Sequence, residues 1–387
     1  MKIEKYISKF YRFSTLKEVG KTGMLAIILV VLAGLYAFIF LPSSSENIEL
    51  PENNGDSFLT LDATHVKDDD AYFHEFMKLL KKNNDVLVLG TSESGFLDSY
   101  NYWELLNADE QIEEQFGVLY GAGRSCERYI PSMLNNPEIW QEQNMIVVVN
   151  PVYWRESLSK FNNEYHTRYM NDGEVERARE KSKRKDDFDI LFSGGQQGYM
   201  KAKMSAVNRF LDQEIHELYY GRLRNYLGIE QEAILHVTEH LDYVPAKKRG
   251  KPEMLEELQS QIVPDFNCTQ EFIDKGDYSM LPLILDAEYR NTALDYFMDL
   301  CQQLNIKVTF VLGPYNRILA EKCGQPEIVK QHEELEDRLR KKFKESGFDH
   351  IDATDISTTP GSFIDKQHHS MYGGYLLYER IKKHLYE

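Results

Sequence analysis

Two short stretches near opposite ends of the chain carry the residues whose types and spacing could do chemistry. The first places Ser92 just after the apolar run 85–89, in the order Gly-Thr-Ser. The second contains Asp365 and His368 in an Asp-x-x-His unit. In a nucleophilic triad a carboxylate orients an imidazole, and the imidazole takes the proton of a serine hydroxyl. We therefore expect Ser92, Asp365 and His368 to form a catalytic triad.

The same residues also have a purely structural interpretation. Thr91 or Ser92 would serve as the N-cap of a following helix. His369 competes with His368 for the role of the base, although only His368 has the three-residue offset from Asp365. Adjacent histidines rarely bind one ion and no third ligand is evident, so we expect neither a metal nor another cofactor.

Three further positions follow predicted strands and could stabilise an oxyanion together with the N–H of Ser92. They are the backbone N–H groups of Gly121 or Gly123 and the side-chain amide of Asn150. A glycine there lets the backbone approach a reacting carbonyl closely. A plain tight turn explains the two glycines equally well, and an Asx-type turn before Pro151 explains Asn150.

The elements that must position these residues predict an α/β fold. Short apolar runs at 85–89, 117–120, 145–149, 307–312 and 350–352 are typical of buried parallel strands. Helical patterns cover 71–83, 103–116, 287–304 and 326–346, with a last helix near 375–381 that follows a loop containing Gly373 and Gly374. We expect a parallel sheet flanked by helices, with ligands at the C-terminal ends of its strands.

The stretch 155–300 interrupts this pattern, because it is long, charged and mostly helical in its periodicity. Its densest charged run, 174–185, fits a solvated helix face with ion pairs four residues apart, and a docking surface for headgroups or an anionic polymer is the alternative. We interpret 155–300 as a helical insertion in one domain that covers 71–387.

The N-terminal residues predict a single membrane anchor. Residues 1–23 carry six Lys and Arg against two Glu, and 24–41 carry no charge. At about 1.5 Å per residue this uncharged run nearly spans a hydrocarbon core of about 30 Å. A cleaved signal peptide is disfavoured, since the run exceeds the usual ~7–15 apolar residues. The basic flank predicts a cytoplasmic tail over 1–23, a linker over 42–70 and an extracellular domain beyond it.

Charge and cysteine content limit the partners. The net charge of −17 excludes nucleic acid, and an anionic envelope polymer would need local cationic contacts to approach. The four cysteines have no Cys-x-x-Cys spacing, so no structural zinc site is expected, and their spacing does not indicate which of them are bridged.

Taken in order, these motifs resemble SGNH-type hydrolases and, more closely, the DltD family. The closer resemblance rests on the anchor and on the motifs at 90–93, 149–154, 314–316 and 365–368, the last followed by Gly373. It implies an extracellular α/β domain with Ser92, His368 and Asp365 as the triad and Gly121 or Gly123 near the oxyanion. It also implies D-alanylation of teichoic acid in Gram-positive bacteria, with a membrane-bound O-acyltransferase and a carrier-fed D-alanine supply as partners.

Three functions are consistent with these observations. The first is acyl transfer or ester hydrolysis through Ser92 with D-alanine as the acyl group, and the second uses the same triad on O-acetyl groups of an exopolysaccharide. The third is a non-catalytic scaffold that binds the O-acyltransferase through the anchor and the helical insertion. Hydrolysis and transfer need the same triad, so the sequence leaves both open.

Overall fold

The computed structural model describes residues 57–62, 71–91, 94, 102–121, 125–155, 172–192, 241–245, 268, 282–364 and 368–386. The predicted tail 1–23 and anchor 24–41 lie outside these residues. Within the described part of the chain, no helix is both long enough and apolar enough to cross a bilayer.

The described strands form one sheet. In chain order, β1 to β7 are Ser57–Asp62, Val86–Leu89, Phe116–Tyr120, Asn144–Val149, Leu241–Pro245, Lys307–Leu312 and Asp349–Asp352. Their order across the sheet is β5-β1-β3-β2-β4-β6-β7. Every neighbouring pair is parallel except the edge strand β5, which runs antiparallel to β1.

Helices cover both faces of the sheet. In chain order, α1 to α10 are Ala71–Asn83, Tyr102–Ala108, Ile130–Asn135, Pro137–Trp140, Asp172–Lys181, Lys185–Phe192, Glu288–Gln303, Arg317–Lys322, Pro326–Glu345 and Met371–Tyr386. Short 3-10 helices lie at Cys126–Tyr129, Pro151–Tyr153 and Thr354–Thr358.

Two hydrophobic cores explain why the apolar strand runs fold as parallel strands. Successive side chains of a strand point to opposite faces, so Leu87 and Leu89 pack into the core beneath α1, α7 and α9. Val88 packs into the second core, beneath α2 and α10. A strand buried on both faces needs apolar residues at every position, which is the pattern that the sequence shows. The predicted α/β class, a parallel sheet flanked by helices, is confirmed.

The strand order creates one topological switch point. β2 lies between β3 and β4. The chain passes from β2 to β3 on one side of it, then crosses to β4 on the other side, where β6 and β7 are added later. In doubly wound sheets the crevice for ligands opens at the C-terminal ends of the strands that flank such a point. Here those strands are β2 and β4.

Two strands arise where the sequence predicts none. β1 lies inside the range 42–70 that was predicted as a linker, so the sheet already begins there. β5 lies inside the predicted helical insertion and pairs with β1 across the edge of the sheet. Neither strand shows a long apolar run, and their pairing joins residues that are far apart in sequence.

Two predicted helix boundaries were wrong. The helix predicted over 103–116 ends at Ala108, because the side-chain amide of Asn107 donates to Phe116 O at 3.0 Å and accepts from Phe116 N at 2.8 Å. These bonds connect the end of the helix to the start of β3. Gly373 and Gly374 were predicted to precede the last helix, but α10 already begins at Met371.

A disulfide joins Cys268 to Cys323, and Cys323 packs against Leu319 and Ile328. The bridge connects the end of α8 to a residue 55 positions earlier in the chain. Cys126 and Cys301 are free thiols.

A buried imidazole lies on α9. His332 on α9 is fully buried and stacks on the ring of Tyr315, with the ring centroids 3.6 Å apart. Neither of its nitrogens has a hydrogen-bond partner among the described residues. Burial, with a smaller contribution from Arg155, lowers the pKa of His332 from 6.5 to about 3. The ring is therefore neutral in the folded protein at neutral pH.

This burial predicts an acid-sensitive fold. Between pH 6.5 and about 3 the unfolded chain binds a proton that the folded chain excludes, so stability falls as the pH drops through this window. His332→Phe keeps a ring against Tyr315 and removes the titrating group. Acidification from neutral pH to about pH 4 should lower the free energy of unfolding of the variant by about 3 kcal/mol less than that of the wild type. Urea unfolding at the two pH values measures this difference. His74→Phe on α1 is the matched control. An equal decrease in the free energy of unfolding on acidification in wild type and His332→Phe would contradict the prediction.

Candidate active site

The register of β2 and β4 brings two of the predicted site segments to one edge of the sheet. Leu87 pairs with Met145 and Leu89 with Val147. The chain that follows each strand therefore starts at the same edge, with Thr91 after β2 and Asn150 after β4. This is the switch point of the sheet, where the sequence predicts the ligand site.

Buried residues lie before and after the predicted nucleophile in the chain. Ser92 itself is outside the described residues, but the residues on both sides of it, Thr91 and Ser94, are 2% and 1% exposed. The backbone N–H of Ser94 donates to Thr91 O at 3.0 Å. A Cβ atom added to Gly90 would lie 2.1 Å from Ser94 Oγ, so only glycine allows the turn to fold back onto the end of β2.

The turn after β2 is also held by its neighbours. Gly90 N donates to Leu119 O of β3 at 3.0 Å. The hydroxyls of Ser94 and Tyr102 are 3.1 Å apart, which joins the turn to the first residue of α2. The segment that carries Ser92 thus begins and ends at buried, hydrogen-bonded residues.

The structure describes two of the three oxyanion candidates, Gly121 and Asn150. Gly121 directly follows β3 and is buried, whereas Gly123 lies outside the described residues. Asn150 is 3% exposed, and its Oδ1 accepts from Val152 N at 3.0 Å. Its Nδ2 donates to Pro314 O at 3.4 Å. Asn150 therefore forms the Asx-type turn that the sequence offered as the alternative to an oxyanion role, and it connects the loops after β4 and β6.

The two candidate bases have different environments. His369 is 7% exposed, and its ring centroid lies 5.5 Å from that of Phe363, with which it also forms an isolated β-bridge. His368 is half-buried, and its carbonyl accepts from Ile364 N at 2.9 Å. Asp365 is outside the described residues. The more accessible of the two residues is thus His368.

A serine anchors the loop of the two histidines to α10. Ser370 N donates to Ser362 O at 2.9 Å, and Ser370 Oγ donates to Gly361 O and accepts from Gly373 N at 3.0 Å. A Cβ atom on Gly373 would lie 2.0 Å from Ser362 O, so α10 packs directly on the backbone of the loop. This contact gives Gly373 a structural role within the first turn of the helix.

A buried polar cluster beside the site escaped the sequence analysis. Arg290 on α7 pairs with Glu127, and both side chains are 3% exposed. Arg290 Nη1 also lies 3.1 Å from Ser125 Oγ. One signal could have revealed this arginine: it occupies the same helical stripe as the apolar residues Ala293 and Leu294, which are buried in the core.

The fold and site together define a doubly wound α/β protein with a turn of hydroxyl residues at the switch point of its sheet. Residues 261–386 match the model of the family described as DltD protein. This match confirms the resemblance to the DltD family over that part of the chain. It covers β6, β7 and α7 to α10, and thus Arg290, Asp365 and His368. No match was found among curated proteins.

The contact of Gly373 predicts the effect of adding one methyl group. Gly373→Ala should lower the free energy of unfolding by about 1–3 kcal/mol, because the new carbon overlaps the Ser362 backbone. It should also speed amide hydrogen exchange at Ser370, whose N–H bonds to Ser362 O. Gly347→Ala is the matched control, since Gly347 has open space around it and a φ of +72°, and it should leave exchange at Ser370 unchanged. Unchanged exchange in Gly373→Ala would contradict the proposed contact.

Proposed function

We propose that this protein is a serine-dependent acyl transferase or esterase of the cell envelope, with Ser92 as the nucleophile, His368 as the general base and Asp365 as the group that orients it. The observation that carries the proposal is the position of Thr91 and Ser94, between which Ser92 lies in the sequence, at the switch point of the sheet. The match of residues 261–386 to the DltD family supports it.

The chemistry follows from the residue types. His368 would take the proton of Ser92 Oγ as this oxygen attacks the ester carbonyl carbon. N–H groups of the turns after β2 and β3, with Gly121 or Gly123 as candidates, would stabilise the tetrahedral oxyanion. Collapse breaks the ester bond, and the leaving alcohol takes the proton from the imidazolium. A second hydroxyl or a water then attacks the acyl-serine, which gives transfer or hydrolysis.

The difference between the two histidines supports His368 as the base. A base must approach both the nucleophile and the substrate, and His368 is half-buried. His369 is packed against Phe363 and contributes to the β-bridge that shapes the loop. Its packing fits a residue that stabilises the loop.

We assign the substrate as D-alanyl esters of teichoic acid, on the basis of the DltD match. The function then places the protein beside a membrane-bound O-acyltransferase and a carrier-fed D-alanine supply. Two features support an extracellular location: the predicted anchor at 24–41 with its basic flank, and the disulfide between Cys268 and Cys323, since disulfides persist mainly in oxidising compartments.

The triad is tested by single substitutions in the full-length protein. Ser92→Ala and His368→Ala should each lower ester hydrolysis by the purified protein by at least about 10³-fold, because members of a triad act as one unit. Ser346→Ala, at an exposed position after α9, is the matched control and should keep full activity. His369→Phe should retain more activity than His368→Ala.

The same variants test the substrate in cells. Mild base releases ester-linked acyl groups from the envelope, and the amount of alanine should fall in cells that express Ser92→Ala in place of wild type. A fall in acetate with unchanged alanine would instead indicate an exopolysaccharide O-acetyl substrate. Full alanine content in a triple variant of Ser92, Asp365 and His368, at normal protein levels, would overturn the enzyme and favour a scaffold.

A further inference from the structure

We propose that the groove between α10 and the 3-10 helix Thr354–Thr358 binds an anionic, phosphodiester-linked polymer chain, with Arg380 and Lys383 as its phosphate contacts. The inference rests on the proposed function for the identity of the polymer, since a teichoic acid belongs to this chemical class. The two can fail separately, because the groove binds the chain of the polymer and not its ester.

The groove has the size of a ligand site. Its volume is about 540 Å³, within the range of about 300–1,000 Å³ that is typical of ligand pockets. One wall is α10, where the lining side chains extend from Tyr372 to Lys383, which are eleven positions or about 16 Å apart along the helix. Asp355, Ile356 and Thr359 line the other wall. This elongated shape suits a polymer chain.

The groove adjoins the loop of the two histidines. Thr359 lies at the end of one wall, and the other wall begins at Met371 with the first residue of α10. The chain between these two residues is the histidine loop, and Ser370 N closes its base by donating to Ser362 O at 2.9 Å. Both walls therefore meet at this loop, and a chain in the groove has one end beside it.

The helical spacing places the cationic side chains inside the groove. Tyr372, Leu376, Arg380 and Lys383 follow one another at intervals of four, four and three residues, so they share one face of α10. All four line the groove. The ring of Tyr372 and the side chain of Leu376 offer apolar contacts to the carbon atoms of a polymer, and the two cations lie beyond them on the same face.

Arg380 has donors available for a phosphate. Its Nη2 pairs with the carboxylate of Asp355, and the two side chains are 43% and 60% exposed. A guanidinium carries five N–H donors, so those of Nε and Nη1 remain without a partner in the described part of the chain. An exposed ion pair contributes little to stability, and its main effect here is to direct the guanidinium along the wall of the groove.

Lys383 is the second available cation. It is exposed and forms no ion pair with any residue that the structure describes. The two other charged residues of α10 in the groove are already engaged. Lys382 Nζ lies 2.6 Å from the carboxylate of Asp109, and the Glu379 carboxylate accepts from the Tyr375 hydroxyl. Arg380 and Lys383 are therefore the groups that the groove offers to an anion.

Charge and shape favour a polymer chain over a membrane surface. The net charge of −17 repels a polyanion from most of the protein, so an anionic chain needs a local site that carries cations. A bilayer is flat and contacts side chains that project from a surface. The floor of this groove is recessed, with Ile356 only 2% exposed, and such a recess fits a single chain.

The inference is tested by titrating the full-length protein in detergent with lipoteichoic acid that mild alkali has stripped of its acyl chains and D-alanyl esters. The double variant Arg380→Gln/Lys383→Gln should raise the Kd about tenfold at about 0.1 M salt, since it removes two exposed ionic contacts. Glu379→Gln removes a negative charge from the groove and should lower the Kd about twofold.

Lys330→Gln/Lys341→Gln is the matched control. It also removes two exposed cations and one surface ion pair, between Lys341 and Glu345. These residues lie on α9, which packs against the other core of the sheet. The control should leave the Kd within about twofold of wild type.

Three results would overturn the inference. One is a wild-type protein that does not bind the stripped polymer, and another is an equal rise of the Kd in both double variants, which indicates general attraction. The third is unchanged polymer binding in Arg380→Gln/Lys383→Gln with weaker binding to phosphatidylglycerol vesicles, which indicates a membrane contact.

The failure of this inference is distinguishable from that of the proposed function. Ester hydrolysis that Ser92→Ala does not reduce would overturn the function, while the Kd for the ester-free polymer still decides the inference. Hydrolysis that depends on Ser92, together with an unchanged Kd in Arg380→Gln/Lys383→Gln, would overturn the inference alone.

Discussion

The hydrogen-bonded pairing of β2 with β4 is the constraint on which the rest of the structure depends. These strands lie far apart in the chain, and their register places Thr91 and Asn150 at the same edge of the sheet. Helices cover both faces of the sheet, so its C-terminal edge is where loops can present polar groups. Displacing this register by one residue would exchange the two cores, because Leu87 and Val88 face opposite sides.

Buried polar groups at this edge connect loops to one another. Asn150 joins the loops after β4 and β6, Ser370 joins the histidine loop to α10, and Arg290 joins the turns after β3 and β4. Each of these groups loses its hydrogen bonds to water on burial, and contacts within the protein that have fixed directions replace them. A catalytic site needs such directions, because its groups must keep their geometry to within a fraction of an ångström.

Much of the fold could be predicted from local patterns, and the errors have a common cause. The strand predicted over 307–312 and the helix over 71–83 have the predicted bounds, since apolar runs and helical periodicity report burial directly. β1 and β5 were missed because they pair with each other at the edge of the sheet, and such pairing leaves little local signal. The helix after β2 was predicted too long, because a side chain of Asn107 that binds β3 cannot be read from periodicity.

The sequence by itself determined the class of fold, the strands that form the centre of the sheet and the residue types available for chemistry, since these depend on neighbouring residues. Only the tertiary structure decided the strand order, the Asx turn of Asn150 and the different burial of His368 and His369. The pairing of Arg290 with Glu127 belongs to the same group. All of these arise from contacts between residues distant in the chain, which only the folded packing brings together.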